Sequence, residues 1–303
     1  MAFDKPLRWT SFDLVAKVRY NLCRKLGTKK LKVGHTGTLD PNATGVLPVL
    51  LGAATKAQDL IVNHDKRYVA AFRLGLTTDT LDIWGKVQSE RPCYVTEEEL
   101  RAVLPRFRGE IEQIPPMFSA VQKNGQRLYD LARKGIEVER ESRRVTVYRL
   151  ELTEFDETAQ TGKLEMECSK GTYVRTVIDD IGSVLGCGAV MTALRRTAAC
   201  GYTLDDCVTL EQLRELCERG EAEQYVRPVE SLFESYEAVE ISPLQAKRFS
   251  NGGALDIGRT ALKNRQPADK TVFRVKERAG AFLGLGITDQ SSSLLKIYKL
   301  FKI

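Results

Sequence analysis

The 303-residue chain has few of the residues that metal and thiol chemistry require. It contains only two histidines, His35 and His64, and none of its seven cysteines forms a CxxC pair. Structural zinc sites take Cys and His ligands at close spacing, so the sequence gives no zinc-type cluster. An odd, scattered set of cysteines in a chain of this length is typical of reduced thiols. A lone cysteine nucleophile with a histidine partner stays open as an alternative, although no local sequence supports it.

Long hydrophobic runs are also missing. No apolar stretch approaches the roughly twenty residues that a membrane-spanning helix needs, and the opening residues, MAFDK, lack the charged and then apolar pattern of a signal peptide. We therefore expect a cytoplasmic protein that does not enter a membrane. The chain shows no internal repeat, no P-loop and no dinucleotide-binding glycine pattern.

Positive charge is concentrated at the two ends of the chain. Residues 1–32 contain nine Lys or Arg against two Asp or Glu, and residues 227–303 contain thirteen against eight, whereas the net charge of the whole chain is only +6. Two basic ends around a net acidic middle indicate a polyanionic partner that is contacted at two places. A solvated charged surface explains the same counts equally well.

The most informative segment covers residues 33–48, VGHTGTLDPNATGVLP. Its glycines allow backbone angles that other residues avoid, and Pro41 pushes Asp40 toward an extended conformation, so the carboxylate is held in one pose. The apolar run at residues 46–52 predicts a buried strand directly after the loop. Reactive groups tend to lie on loops anchored to a rigid core, although an Asp-Pro turn without a function is the alternative.

Further along the chain, apolar spacing and capping residues predict a series of helices and strands. The change to short strands and turns near residue 226 predicts two domains, residues 1–225 and 226–303, the second a small β domain. The predicted helices have their N-caps at Ser11, Thr96, Thr172 and Thr209, and a further one covers 54–62. A hairpin turn falls at 123–126, and the predicted strands cover 67–75, 145–155, 163–168, 238–241, 272–275, 281–287 and 294–300, with one more beginning at Leu194.

Two residues outside the loop could complete a site around Asp40. Arg175 lies near the start of a predicted helix and off its buried stripe, where the helix dipole disfavours a cation, so we expect it to pair with a carboxylate. A carboxylate can act as a covalent nucleophile, and a bidentate arginine keeps it ionised and oriented. Tyr68, at the start of a predicted strand, would add an aromatic ring. The alternatives are a surface or subunit ion pair for Arg175 and a core position for Tyr68.

Five segments, in this order, resemble the motifs of the TruB-type tRNA pseudouridine synthases. They are DKP at 4–6, GHTGTLDP at 34–41, DKRY at 65–68, QIPPM at 113–117 and CSKGTYVRT at 168–176. The resemblance implies an α+β fold, with a mixed, mainly antiparallel sheet flanked by helices. It also implies isomerisation of uridine to pseudouridine in the T loop of tRNA, with base flipping and without a cofactor or metal.

The resemblance also implies roles for single residues. Asp40 would be the nucleophile or base that starts glycosidic cleavage, Arg175 its partner, and Tyr68 would stack on the uracil and assist proton transfer. His35 would fill the space left by the flipped nucleotide, since imidazoles stack on bases; a loop histidine bonded to the backbone is the alternative. The other candidate substrate-binding residues are Lys5, Lys170, Tyr173 and Leu194.

The C-terminal segment resembles more weakly the small β domain called PUA, through the strand FLGLG at 282–286 and its basic balance. We expect such a domain to grip the acceptor stem of tRNA, in a protein that is a monomer; a purely structural appendage is the alternative. Two residues depart from the family pattern. Arg8 stands where glycine is usual, which puts the local turn in doubt, and Phe118 stands where tyrosine is common.

Three other functions remain open. A tRNA-folding chaperone that retains the site would have the same motifs, and a guide-RNA-dependent relative would act within a complex. A hydrolase with an aspartate nucleophile would need metal-binding carboxylates near Asp40, and the sequence shows none.

Overall fold

The computed structural model of the chain describes residues 1–62, 65–265 and 267–301. Within these ranges no helix is both long and apolar enough to cross a membrane. The helices of the described ranges are α1 Ser11–Leu26, α2 Glu97–Val103, α3 Leu128–Ala132, α4 Val174–Val184, α5 Leu210–Arg219 and α6 Pro243–Ser250. Their strands are β1 Ala2–Lys5, β2 Val33–His35, β3 Ala43–Leu51, β4 Lys66–Leu74, β5 Leu76–Thr78, β6 Val87–Glu90, β7 Gly109–Gln113, β8 Gln122–Lys123, β9 Gln126–Arg127, β10 Arg143–Asp156, β11 Thr161–Cys168, β12 Ala189–Ala199, β13 Tyr202–Thr203, β14 Cys207–Val208, β15 Ala238–Ile241, β16 Leu255–Asp256, β17 Val272–Glu277, β18 Phe282–Asp289 and β19 Leu294–Leu300.

The main sheet has the order β14-β1-β3-β12-β4-β11-β10-β7, with β2 added beside β3 and β13 beside β12. The pairs β1 with β14 and β3 with β12 are parallel, and the others are antiparallel. The expected mixed, mainly antiparallel sheet is therefore confirmed. The predicted hairpin turn joins β8 to β9.

The central strand β4 shows why this sequence forms a half-buried strand. Side chains alternate between the two faces of a strand, and Tyr68, Ala70 and Phe72 all point into the core. On the other face, Arg67 pairs with Glu167 of the neighbouring strand at 3.0 Å. β4 pairs with β12, and its apolar face belongs to the same core cluster as Leu39 of the Asp40 loop.

The helix α1 begins at Ser11, but the expectation that Ser11 caps it is wrong. Thr10 is the capping residue: its hydroxyl accepts from the Asp13 N–H at 3.0 Å, and the Asp13 carboxylate accepts from the Thr10 N–H at 2.9 Å. Ser11 is buried, and its Oγ donates to the carbonyl of Leu39 and accepts from the Leu39 N–H, at 3.1 and 2.8 Å. Ser11 therefore fastens the helix to the Asp40 loop.

Three other predicted elements are corrected by the structure. The cap of α4 is Tyr173 rather than Thr172, whose hydroxyl instead donates to the Ser169 carbonyl at 3.0 Å. The strand predicted to begin at Leu194 begins at Ala189, because small and apolar residues extend it toward α4. The helix predicted from Ala54 is a 3₁₀ helix, Gly52–Leu60.

A second sheet, with the order β15-β17-β18-β19-β16, lies between Ala238 and Leu300 and has its own apolar core. The expected C-terminal β unit is thus present. Phe233, which precedes it in a 3₁₀ turn, packs with Phe282, Phe301 and the side chain of Ala57. The division at residue 226 and the likeness to PUA remain predictions.

The backbone conformation of Arg8, in the turn between β1 and α1, can be tested by substitution. Arg8 has φ 66°, a left-handed conformation that costs a non-glycine residue about 1 kcal/mol or more, and its N–H donates to the Pro41 carbonyl at 2.8 Å. We expect Arg8→Gly to leave the free energy of unfolding unchanged or raise it by up to about 1 kcal/mol, as measured by urea denaturation. Arg24→Gly, inside α1, is the control and should lower it by about 1 kcal/mol. A clear loss of stability in Arg8→Gly would show instead that the Arg8 side chain stabilises the loop.

Candidate active site

A cleft of about 710 Å³ opens where the Asp40 loop faces the start of α4. The loop contributes Asp40 and the helix contributes Arg175. The turn between β5 and β6 contributes Asp82, and the segment before β8 contributes Phe118. His35, at the end of β2, also lines the cleft. Four separate parts of the chain thus meet around one polar centre.

Asp40 and Arg175 form an ion pair in this cleft. Arg175 Nη2 lies 3.0 Å from Asp40 Oδ2, and the arginine side chain is only 6% exposed whereas the aspartate is 44% exposed. The expectation that Arg175 lies off the buried stripe is therefore wrong, but the expected pairing with a carboxylate is present. Since the guanidinium is withdrawn from water, it holds the carboxylate in place while leaving it accessible from the cleft.

Arg175 has a second carboxylate partner, Asp82. Arg175 Nη1 lies 3.4 Å from Asp82 Oδ2 and donates to the Thr80 carbonyl at 3.0 Å. Asp82 is itself fixed by the Thr80 hydroxyl, which donates to its Oδ1 at 2.6 Å. Sequence reasoning missed Asp82, because nothing local to the segment DTLD shows that it reaches an arginine 93 residues away.

The backbone carbonyl of Phe118 completes the surroundings of the guanidinium and accepts from Arg175 Nη2 at 3.1 Å. Any residue at position 118 offers this carbonyl. The departure from tyrosine therefore leaves the contact with Arg175 intact.

A second buried arginine, Arg196 of β12, supports the loop from below. Its side chain is fully buried; Nε donates to the Val46 carbonyl at 2.7 Å and Nη2 to the Gly37 carbonyl at 3.2 Å. A further donor, Nη1, lies 3.4 Å from the Thr38 carbonyl. Arg196 was not predicted as a site residue, yet it fixes the backbone just before Asp40.

Lys5 also lies beneath the loop and does not line the cleft. Its Nζ donates to the Trp9 carbonyl at 2.6 Å and reaches the Pro41 carbonyl at 3.4 Å. Burial lowers the pKa of Lys5 to about 8, and the negative charge of Asp40 opposes this shift. Lys5 therefore braces the residue that follows Asp40, and its substrate-binding role remains a prediction.

His35 faces the cleft as a neutral imidazole. Burial, and then the positive charge of Arg196, lower its pKa below the ordinary value of 6.5. Its Nδ1 is buried and makes no hydrogen bond with the described part of the chain. An uncharged ring with one unpaired nitrogen is suited to stack on, or bond with, an entering base.

The remaining predicted residues lie outside the cleft lining. Tyr68 is buried opposite Arg196 on the neighbouring strand, and burial raises the pKa of its phenol. Leu194 is half-buried against the core, beside Ala43 of β3. Tyr173 precedes α4, with its N–H donating to Gln113 Oε1 at 2.7 Å, and Lys170 is exposed in the preceding turn. Their roles remain predictions.

Three of the seven cysteines are poor candidates for the alternative of a cysteine nucleophile. Burial raises the pKa of Cys168 to about 11 and those of Cys187 and Cys207 to about 12. Thiols with such pKa values stay protonated near pH 7 and are poor nucleophiles.

His64 lies outside the described residues. Among the residues that the structure does describe, no three His, Cys, Asp or Glu side chains are placed to hold a metal; that the protein needs none remains an expectation.

Two family models and a solved structure show the general class to which this protein belongs. Residues 24–174 match the family model of the TruB family pseudouridylate synthase N-terminal domain, and residues 175–234 match that of the tRNA pseudouridylate synthase B C-terminal domain. The structure titled "Crystal Structure of a Cbf5-Nop10-Gar1 Complex" has a TM-score of 0.73 at 26% identity, over 100% of this chain and 84% of that chain. The fold is that of a pseudouridylate synthase.

The names of similar proteins show which kind of pseudouridylate synthase this chain resembles. The tRNA pseudouridine synthase B of Ralstonia nicotianae is 42% identical over 99% of this chain and 93% of its own length. The proteins of the same name from Lactobacillus delbrueckii and Pseudomonas fluorescens are 43% and 44% identical, over 91% and 93% of this chain and 93% and 89% of their own lengths. The chain belongs to the TruB family. The two family-model matches meet between Val174 and Arg175, so the Asp40–Arg175 pair joins both.

The buried amine of Lys5 predicts a pH-dependent stability. Below about pH 8 Lys5 is charged in both the folded and the unfolded protein, and the folded protein is destabilised by the burial of this charge. Between about 8 and 10.5 the unfolded state keeps the proton that the folded state has lost, so stability rises with pH by up to about 1.4 kcal/mol per unit.

We therefore expect the unfolding free energy of the wild type to increase relative to that of Lys5→Met over this window. The check is urea denaturation of both proteins from pH 7 to 10. Other titrating groups cancel in the difference, so a difference that stays constant with pH would contradict the assignment.

Proposed function

We propose that this protein isomerises uridine to pseudouridine in the T loop of tRNA, and that Asp40 starts the reaction. Relatives named tRNA pseudouridine synthase B, at 42–44% identity over nearly the whole chain, support the isomerisation of a tRNA uridine. The observation that carries the assignment of Asp40 is the accessible carboxylate held 3.0 Å from a buried guanidinium.

The reaction needs no co-reactant. The bond from ribose C1′ to uracil N1 breaks, the base turns, a bond from C1′ to C5 forms, and the proton on C5 leaves while N1 gains one. The Asp40 carboxylate can start this sequence by attacking the base, attacking the ribose or removing a ribose proton. All three routes need an ionised and oriented carboxylate, which the contact with Arg175 supplies.

The detached uracil must be kept from water until it reattaches. The target nucleotide first has to leave its stack, at a cost of a few kcal/mol. We assign to the neutral His35 ring the space that the nucleotide vacates. Tyr68 is assigned to stack on the uracil and assist proton transfer, and burial raises the pKa of its phenol further above neutral pH.

The C-terminal sheet is proposed to contact the acceptor stem through phosphates, in a monomeric and cytoplasmic protein. The excess of Lys and Arg over Asp and Glu in residues 227–303 supports this contact. Of the rival functions, a guide-RNA-dependent enzyme that acts within a complex is less favoured, because relatives named tRNA pseudouridine synthase B are 42–44% identical, whereas the Nop10-Cbf5 complex structure is 25% identical. A tRNA-folding chaperone would differ from the proposed enzyme only in that it does not form pseudouridine.

Turnover is tested on an unmodified tRNA transcript by chemical labelling and primer extension. The wild type should form pseudouridine at one T-loop uridine, and Asp40→Asn should slow this by roughly 10³-fold or more, because an amide is neither nucleophile nor base. Asp59→Asn, an exposed residue of the 3₁₀ helix Gly52–Leu60, is the matched control and should keep full activity. An active Asp40→Asn would remove Asp40 from the mechanism, and an inactive but RNA-binding wild type would favour the chaperone.

A further inference from the structure

Two large apolar side chains at the cleft are exposed to water. Phe12 is 69% exposed and Trp84 is 47% exposed, and both line the cleft that contains Asp40. Exposed apolar surface of this size, next to a polar site, marks a place where a partner is contacted. Neither residue belongs to the motifs that carry the family resemblance.

Phe12 stands on a rigid base. It is the second residue of α1, between Ser11, which exchanges two hydrogen bonds with Leu39, and Asp13, which closes the capping box with Thr10. The backbone that carries the ring is therefore held in fixed relation to the loop that carries Asp40, one residue beyond Leu39.

Trp84 is held by a hydrogen bond to Asp82, on the side of Arg175 away from Asp40 along the chain of contacts. The backbone N–H of Trp84 donates to Asp82 Oδ1 at 3.2 Å, and Asp82 is the second carboxylate partner of Arg175. The next residue, Gly85, leaves no room for a side chain, since a Cβ there would lie 2.2 Å from the Thr80 hydroxyl oxygen. The turn thus holds an indole ring at the cleft.

The charges around these rings indicate a nucleic acid strand rather than an apolar partner. Arg127 and Arg133 line the same cleft, where both lie over the Tyr129 ring at 5.8 and 5.4 Å. Aromatic faces that stack on unpaired bases, next to cations that meet phosphates, are the usual combination for binding single-stranded RNA. A nucleotide that flips into the cleft also unstacks its neighbours, whose faces are then open to contact.

We propose that Phe12 and Trp84 stack on nucleobases adjacent to the target uridine, and so set how the RNA strand enters the cleft. The proposal rests on the proposed function for the identity of the RNA. Stacking has no requirement for a particular base, so these residues supply affinity and register rather than base identity.

The test uses the whole protein with Asp40→Asn, which keeps the RNA unreacted, and a T-arm hairpin RNA. Phe12→Ala and Trp84→Ala should each weaken binding by roughly 5- to 150-fold, the range for loss of one stacked base. Trp84→Phe should restore most of the affinity. Tyr94→Ala is the matched control, since Tyr94 is 88% exposed and does not line the cleft, and should bind like the parent.

A second arm identifies the bases. Two further hairpins each carry an abasic nucleotide, one on either side of the target uridine. With the hairpin that lacks the base stacked on Trp84, the parent and Trp84→Ala should bind with nearly equal affinity. Trp84 and Trp9 are the tryptophans of the chain, so adding Trp9→Phe leaves Trp84 as the reporter, and its fluorescence should be quenched by the intact hairpin only.

Both aromatic variants binding as tightly as Tyr94→Ala, or an affinity loss unchanged by every abasic substitution, would overturn the stacking proposal. These binding results do not depend on turnover. A wild type that forms no pseudouridine would refute the proposed function alone, and normal pseudouridine formation with no stacking effect would refute this inference alone.

Discussion

The burial of one guanidinium is the constraint on which the site depends. Taking an isolated cation out of water costs several kcal/mol unless carboxylates and carbonyls surround it. For Arg175 these partners come from the Asp40 loop, the turn at Thr80 and Asp82, and the segment that ends at Phe118. These three segments and helix α4 must therefore assemble together, and the contacts that satisfy the cation also hold a carboxylate at the mouth of a cleft.

The Asp40 loop is fixed from below by a different set of donors. Arg196 binds carbonyls before Asp40, Lys5 reaches the carbonyl just after it, and Ser11 binds Leu39. Each contact uses backbone groups, so the loop is rigid while the Asp40 side chain stays free of them. Preorganisation of this kind lowers the cost of aligning a reacting group. Burial, and then the positive charge of Arg196, also lower the pKa of the neighbouring His35.

Local sequence was sufficient for those features that local forces determine. Alternation predicted the strand that forms as β4, and the Asp-Pro step with its glycines singled out the loop. The dipole argument gave Arg175 a carboxylate partner. It did not place the arginine in the interior, because burial depends on partners from distant segments. Asp82 and Arg196 were missed for the same reason, since their contacts span 93 and 150 or more residues. The error at Ser11 has a different cause: Thr10 and Ser11 are both good caps, and only the tertiary contact with Leu39 separates their roles.

The central claim is that the buried Arg175, which Asp82 also contacts, holds Asp40 for the reaction, and the most direct test is a double-mutant cycle. Single-turnover rates of pseudouridine formation, at saturating tRNA, would be measured for Arg175→Lys, Asp82→Asn and the double variant. If both residues serve one unit, each variant slows the chemical step and the double variant reacts about as slowly as the slower single one. Slowing factors that simply multiply would show that the two residues act independently, and would contradict the account.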